Sequence, residues 1–384
     1  MNSTYIKGVG TIPNRIYDRP SHLLAYDAIS NAIDDADMSM NEIDAIVCST
    51  LEWFYTGEFQ RHFASMLSAL LKTRIPIIRV PAACAGGGTA LCVANNLGKT
   101  REFNNILVIG AEKLHGHTKN SECITNEFMM AAESSWEQHE GLNFPASNAL
   151  VAQAYLRKFP DTTMDDLALI SLKNHENAYA NENAFFYNKN ITMEQIKESP
   201  IVCSPLRLFD CSISVDGAAA CIITKDKTDI KIIGSAYCTD YLPPFEREDM
   251  TTWDATLEAS REAYKQAGLS AKDVDLAEVH DAFTIVELIA YEDLGFCKKG
   301  DGARLIREGI VKIDGKLPIN PSGGLKAKGH PVSATGLGQI YELVKQLRKE
   351  AGDRQVSKTK IALAQNIGGA GSIVAVNMLK RIMG

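Results

Sequence analysis

Cys84 stands where a chain can build a nucleophile. It lies in Val80-Pro81-Ala82-Ala83-Cys84-Ala85-Gly86-Gly87-Gly88-Thr89-Ala90-Leu91, between a short apolar strand and an Ala-rich segment with helical character. A thiol at a helix N-terminus faces unpaired backbone N–H groups and the positive end of the helix dipole, which both favour the thiolate. The three glycines leave the backbone open to close approach by a substrate. Alone, the cluster reads first as a buried structural cysteine beside a turn, because free cysteine is so often core.

Two histidine motifs downstream reverse that preference. In Glu278-Val279-His280-Asp281-Ala282-Phe283-Thr284 a strand ends and His280 follows at its carboxyl end, the edge where α/β sheets bind ligands. In Asn320-Pro321-Ser322-Gly323-Gly324-Leu325-Lys326-Ala327-Lys328-Gly329-His330-Pro331-Val332-Ser333 a Gly-rich loop ends in Gly-His-Pro, and the proline suits a first helical turn. His330 is therefore held at a helix entrance. A third segment, Gln365-Asn366-Ile367-Gly368-Gly369-Ala370-Gly371-Ser372, follows a buried strand. Its glycines free the backbone to present N–H groups to an oxyanion, although a tight turn has the same composition.

The elements that must position these groups alternate strand with helix. Ile77–Val80, Asn105–Gly110, Ala219–Ile223, Ile230–Ile233, Ile361–Ala364 and Ile373–Val376 read as strands. Helices of ten residues or more between them imply α/β layering. A faint duplication runs through the chain. Ala28, Ala32, Ala36, Ser39 and Asp44 match Ala259, Ala263, Ala267, Ser270 and Asp275, each pair 231 positions apart, and an apolar strand follows each copy. Between about 116 and 204 the texture changes to Asn, Glu, Met and aromatics, as in an inserted helical lobe over a substrate.

Composition limits what this architecture does. The chain has 384 residues, 45% of them hydrophobic, and a net charge of −7, so nothing marks a nucleic-acid or anionic-membrane surface. The start does not resemble a signal peptide, and no apolar run is long enough to cross a bilayer. Nine scattered cysteines without a C-x-x-C pair suggest reduced thiols in the cytosol, not a disulfide framework or a zinc site. A cytoplasmic protein is expected.

Taken together, the four ordered motifs resemble the thiolase superfamily over almost the whole chain. His280-Asp281-Ala282-Phe283, Ala131–Glu137, Lys173-Asn174-His175 and Asp210–Ala220 are similar to the branch that holds archaeal acetoacetyl-CoA thiolases and sterol-carrier-protein-type thiolases. The resemblance implies an α/β thiolase fold, five layers α-β-α-β-α from two duplicated halves. Residues 1–115, completed by 205–228, would form the first half. An inserted, mainly helical loop domain would span 116–204, and 229–384 would form the second half.

It also implies chemistry. Cys84 would attack an acyl-CoA thioester such as acetyl-CoA or acetoacetyl-CoA, and His330 would take the thiol proton. The N–H groups of Cys84 and Gly368 would hold one oxyanion, and His280 with His330 the other. Family members carry a second cysteine as acid–base, at positions that are Ala282 and Asn366 here. Ser333 stands where glycine is usual after Gly-His-Pro.

Three readings follow: a thiolase whose base is His280, His330 or another residue; an acyltransferase to a non-CoA acceptor in a multi-subunit complex; and a non-catalytic thiolase-like scaffold. No permanently bound cofactor is implied, only a coenzyme A thioester as substrate. A homodimer or tetramer, and partners such as a hydroxymethylglutaryl-CoA synthase and a small OB-fold protein, are further implications. Lys326 and Lys328 are candidates for a nucleotide tail, with solvated surface charge the simpler account.

Overall fold

The β-branched and aliphatic runs picked out above become the strands of one sheet. The computed structural model describes residues 3–51, 58, 60–100, 102–115 and 121–382. Its strands are β1 (Thr4–Thr11), β2 (Ala45–Ser49), β3 (Ile77–Arg79), β4 (Asn105–Glu112), β5 (Ile201–Cys203), β6 (Leu206–Arg207), β7 (Gly217–Thr224), β8 (Ile230–Thr239), β9 (Leu276–Glu278), β10 (Ile361–Gly368) and β11 (Ile373–Arg381). The helices are α1 (Ser21–Asp35), α2 (Phe63–Leu71), α3 (Gly86–Gly98), α4 (Ser121–Met129), α5 (Phe144–Lys158), α6 (Met164–Tyr179), α7 (Met193–Glu198), α8 (Asp254–Ala267), α9 (Thr284–Asp293), α10 (Gly302–Arg307) and α11 (Thr335–Arg348). Among the described residues no helix is long and apolar enough to cross a membrane.

The sheet order is β3-β2-β4-β7-β1-β8-β11-β10-β9, and β5 and β6 form a separate ribbon. Read outward from the β1–β8 seam, the two sides mirror each other. Even the outer parallel neighbour recurs, as β3 beside β2 and as an Ala277–Ile319 bridge beside β9. The duplication extends to capping. Asp44 Oδ2 accepts the N–H groups of Asn104 and Asn105 at 2.7 and 3.0 Å, and Asp275 Oδ2 accepts those of Lys360 and Ile361 at 3.0 and 2.9 Å. Ser39 with Glu42 and Ser270 with Asp273 form matching capping boxes. Ala28, Ala32, Ala259 and Ala263 are buried where α1 and α8 lie on the sheet. Helices α3 and α11 pack against each other and against strands of both halves, forming the middle layer. The seam makes the two sheet layers one continuous sheet bent around that helix pair.

The middle layer corrects one expectation. Gly86, Gly87 and Gly88 are not a substrate cradle; they are buried inside α3. A Cβ on Gly87 would lie 2.9 Å from the backbone of Ser333 and of Leu337, so this position is where α3 meets α11. Alanine there would overpack the crossing and cost about 1–3 kcal/mol. A second difference concerns Gln365–Gly368, expected in a loop. These residues continue β10, because Gln365–Gly368 pair with Ile373–Val376, and the turn is confined to Gly369–Ser372.

Candidate active site

The Cys84 backbone is set by a strained turn. Ala83 has φ of 46°, a left-handed conformation that costs a non-glycine residue about 1–2 kcal/mol. The turn Ala83–Ala85 then runs straight into α3. The sulfur opens onto a cavity of about 320 Å³. Aromatic and aliphatic groups from four elements shape its wall: Phe128 of α4, Phe144 of α5, Trp253 before α8, and Phe283 and Val286 around the start of α9. His280, His330, Cys211, Ser212, Ser214, Ala282, Ile367 and Gly369 complete much of the rest.

The two imidazoles meet there edge to face, with ring centroids 5.3 Å apart and planes at 85°. His330 is fixed at both ends: its N–H donates to the Ile213 carbonyl at 2.9 Å, and its Nδ1 lies 2.7 Å from Thr335 Oγ1 at the start of α11. His280 Nδ1 lies 3.4 Å from Asn366 Nδ2, while Asn366 Oδ1 accepts the Gly88 N–H at 3.0 Å. With its oxygen taken by Gly88, the Asn366 amide turns its NH₂ to His280. That assigns the His280 proton to Nε2.

Of the five residues expected to form the site, Cys84, His280 and His330 line one cavity. Asn366 and Gly368 stand behind its wall. Asn366 clamps α3 and His280, and Gly368 packs against Ala82 and Ala85. Gly369, one residue further on, lines the cavity, and its amide together with that of Cys84 itself favours the Cys84 thiolate. Sequence reading also missed Thr335, Glu112 and Cys211. Thr335, five residues after His330, was within reach of a spacing argument, whereas Glu112 and Cys211 arrive from distant strands and loops.

Burial governs the protonation states. It pushes the Cys84 thiol up to about 12, and the buried Glu112 carboxylate adds to this against the opposing Gly369 and Cys84 amides. Burial brings His330 down to about 3 and His280 well below its usual range, with His330 reinforcing the second shift. The expected helix-terminus stabilisation of a thiolate is outweighed. At neutral pH the resting site is a neutral thiol facing two neutral imidazoles.

The histidines rest on a buried polar framework. Asp281 accepts the N–H groups of Leu325 at 2.6 Å and Lys326 at 3.1 Å, plus Asn174 Nδ2 at 2.8 Å. Gly324 (φ 61°) admits this carboxylate, since a Cβ there would lie 2.3 Å from Asp281 Oδ2. Burial, together with the Glu287 carboxylate, raises Asp281 above its ordinary range. Glu287 accepts from Lys173 Nζ at 2.5 Å, Asn174 Nδ2 at 2.6 Å and Asn320 Nδ2 at 3.0 Å, and from Tyr291. Glu278 holds Ser322 through its N–H and hydroxyl. Lys326 and Lys328 belong to this framework and are not solvated surface charge: they are 1% and 7% exposed. Lys326 Nζ donates to the Asp210 carbonyl at 2.6 Å, and Lys328 Nζ lies 3.7 Å from Glu278.

Comparisons with known proteins show the family. Residues 8–227 match the model of the thiolase N-terminal domain, and residues 238–381 that of a thiolase C-terminal domain-like family. The chain is 40% identical over 360 residues to acetyl-CoA acetyltransferase of Methanothermobacter thermautotrophicus, covering 91% of this chain and 92% of that protein. It is 30% identical to human sterol carrier protein 2, over 97% of this chain and 71% of that one. Among solved structures, the Ltp2-ChsH2(DUF35) aldolase superposes with a TM-score of 0.82 at 24% identity, covering 99% and 98% of the two chains, which speaks to the fold. The chain belongs to the thiolase family, on the side of the archaeal acetyl-CoA acetyltransferases and sterol carrier protein 2, and is a transferase of the thiolase type.

Proposed function

We propose that the protein transfers acyl groups from acetyl-CoA or a 3-ketoacyl-CoA such as acetoacetyl-CoA through an acyl-enzyme on Cys84. The observation behind this reading is that Cys84 from one half and His280 and His330 from the other line a single cavity. Because the resting thiol is neutral, attack is coupled to proton transfer. His330 takes the proton as the sulfur adds to the thioester carbonyl. The resulting oxyanion is met by the N–H groups of Cys84 and Gly369, both of which favour negative charge on the sulfur. That reassigns the second donor from Gly368 to Gly369. His280, with its proton on Nε2, donates to the carbonyl of a second thioester. Asn366 is a positioning residue in this scheme.

A second reading, acyl transfer to a non-CoA acceptor within an assembly, is favoured by one feature: Ala282 presents only a methyl group to the cavity. Acetoacetyl-CoA thiolysis separates the two. Steady turnover with free coenzyme A, absent in Cys84→Ala, supports the first. A stable Cys84 adduct without turnover supports the second, and neither adduct nor turnover leaves the scaffold. A homo-oligomer, a hydroxymethylglutaryl-CoA synthase and a small OB-fold partner belong to the same proposal by family resemblance. The Ltp2-ChsH2(DUF35) aldolase, a two-component name, is in keeping with a small partner.

A further inference from the structure

Carbon–carbon bond formation from two thioesters asks for more than the groups used so far. A proton must leave the α-carbon of the acceptor, and the departing coenzyme A sulfur needs a proton of its own. His330 is occupied by the Cys84 proton, and His280 serves as a hydrogen-bond donor. Among the described residues four ionisable side chains line the cavity: Cys84, His280, His330 and Cys211. Only Cys211 has no task.

Its surroundings are built. The Cys211 backbone bridges to Phe283, and the next N–H, of Ser212, donates to the Ala282 carbonyl at 2.8 Å. Cys211 is thereby fastened to the strand end that carries His280. Two residues on, Ile213 accepts the His330 N–H. One short segment thus ties together both histidines and this thiol. Behind it sits the buried Lys326 ammonium, anchored on the carbonyl of Asp210 at 2.6 Å. Burial raises the Cys211 thiol to about 11 while Lys326 opposes the rise, so the group rests protonated beside a cation that supports its thiolate. At rest its S–H points to the Arg207 carbonyl at 3.5 Å.

We propose that Cys211 is the second acid–base group of this site, protonating the departing coenzyme A thiolate and then removing the α-proton of the acceptor thioester. The proposal rests on the acyl-enzyme reading above. The protons balance. In the first half-reaction the Cys84 proton passes to His330, the thioester C–S bond breaks, and Cys211 gives its proton to coenzyme A. In the second, the Cys211 thiolate takes the α-proton, and the resulting carbanion attacks the acyl carbon on Cys84. The Cys84 C–S bond then breaks, and His330 returns its proton to that sulfur. Both thiols and the imidazole end as they began.

The test uses Cys211→Ser and Cys211→Ala in the full chain. Each is mixed with acetyl-CoA in D₂O, reading α-proton exchange by NMR and the Cys84 adduct by mass spectrometry. The proposal expects exchange and acetoacetyl-CoA thiolysis to fall by about 10²-fold or more in both variants, while the Cys84 adduct still forms, more slowly than in the wild type, because coenzyme A can depart unprotonated. Serine keeps the shape and the hydrogen bond, so a serine variant that exchanges at the wild-type rate would mean a structural role and overturn the proposal. Unchanged exchange in the alanine variant overturns it too. If the wild type itself gains no acetyl group on Cys84, the acyl-enzyme reading falls first and takes this one with it.

Discussion

Cys84 and Ser333 occupy the same place in the two halves. Each sits in a short turn, Ala83–Ala85 or Val332–Ala334, that runs into a central helix. Each helix start is held by a side chain from the other half: Asn366 of β10 accepts the Gly88 N–H, and Glu112 of β4 accepts the Ser333 N–H at 3.0 Å. The contents differ. Cys84 opens on the cavity, whereas the Ser333 hydroxyl is fully buried with no hydrogen-bond partner among the described residues. The Cys84 sulfur is positioned by apolar means, a strained turn and glycine-lined helix packing. The imidazoles are positioned by buried charge, with Asp281, Glu287, Glu278, Lys173 and Lys326 fixing the loop beneath them. One scaffold, used twice, thus keeps the thiol neutral on one side and spends its polar groups on holding the two imidazoles on the other.

The contrast is sharpest at the paired positions. Cys84→Ala is expected to reduce acyl transfer on the order of 10⁴-fold or more, measured as acetoacetyl-CoA thiolysis. A loss below tenfold would mean another thiol is the nucleophile. Glu287→Ala strikes the other half. It leaves Lys173, 1% exposed, without its carboxylate, and is expected to destabilise the protein by about 3–5 kcal/mol in denaturant unfolding. A loss under about 1 kcal/mol would show that the framework is not what secures the histidines.

Two smaller effects refine the picture. A thiol held near 12 stays protonated through the neutral range, so Cys84 alkylation by iodoacetamide should rise about tenfold per pH unit from 7 to 10 with no plateau. A plateau near pH 7 would indicate a preformed thiolate–imidazolium pair. Glu112 raises this thiol, so Glu112→Gln should ease its ionisation and speed alkylation at fixed pH; slower alkylation would contradict the assigned sign. The smallest effect belongs to Ser333→Ala. Among the described residues its buried hydroxyl finds no hydrogen-bond partner, so its removal should leave stability unchanged or raise it by about 1 kcal/mol, and a loss above about 0.5 kcal/mol would contradict this.

The architecture was legible because periodicity and duplication are local. The alanines four apart, the Ser-x-x-acid boxes and the apolar strands each declare themselves within a few residues. The motifs holding Cys84, His280 and His330 were legible for the same reason. What escaped was whatever depends on distant partners. The role of Gly86–Gly88 was misjudged because the helix they meet begins at Thr335. Lys326 and Lys328 look like surface charge until Asp281, Asp210 and Glu278 are brought around them. The thiolate argument for Cys84 was sound as local electrostatics, and it lost to desolvation, which sequence does not display. β10 runs to Gly368, longer than its apolar core, so the turn begins at Gly369, and that is why our proposal places the second oxyanion donor there.

The central claim is that the Cys84 sulfur carries the acyl group. Brief incubation of the full-length protein with acetyl-CoA, acid quench and peptide mapping by mass spectrometry tests it directly. One acetyl mass confined to the peptide holding Cys84, and absent from Cys84→Ala, is the predicted result. No adduct, or an adduct on a different cysteine in the wild type, would contradict it.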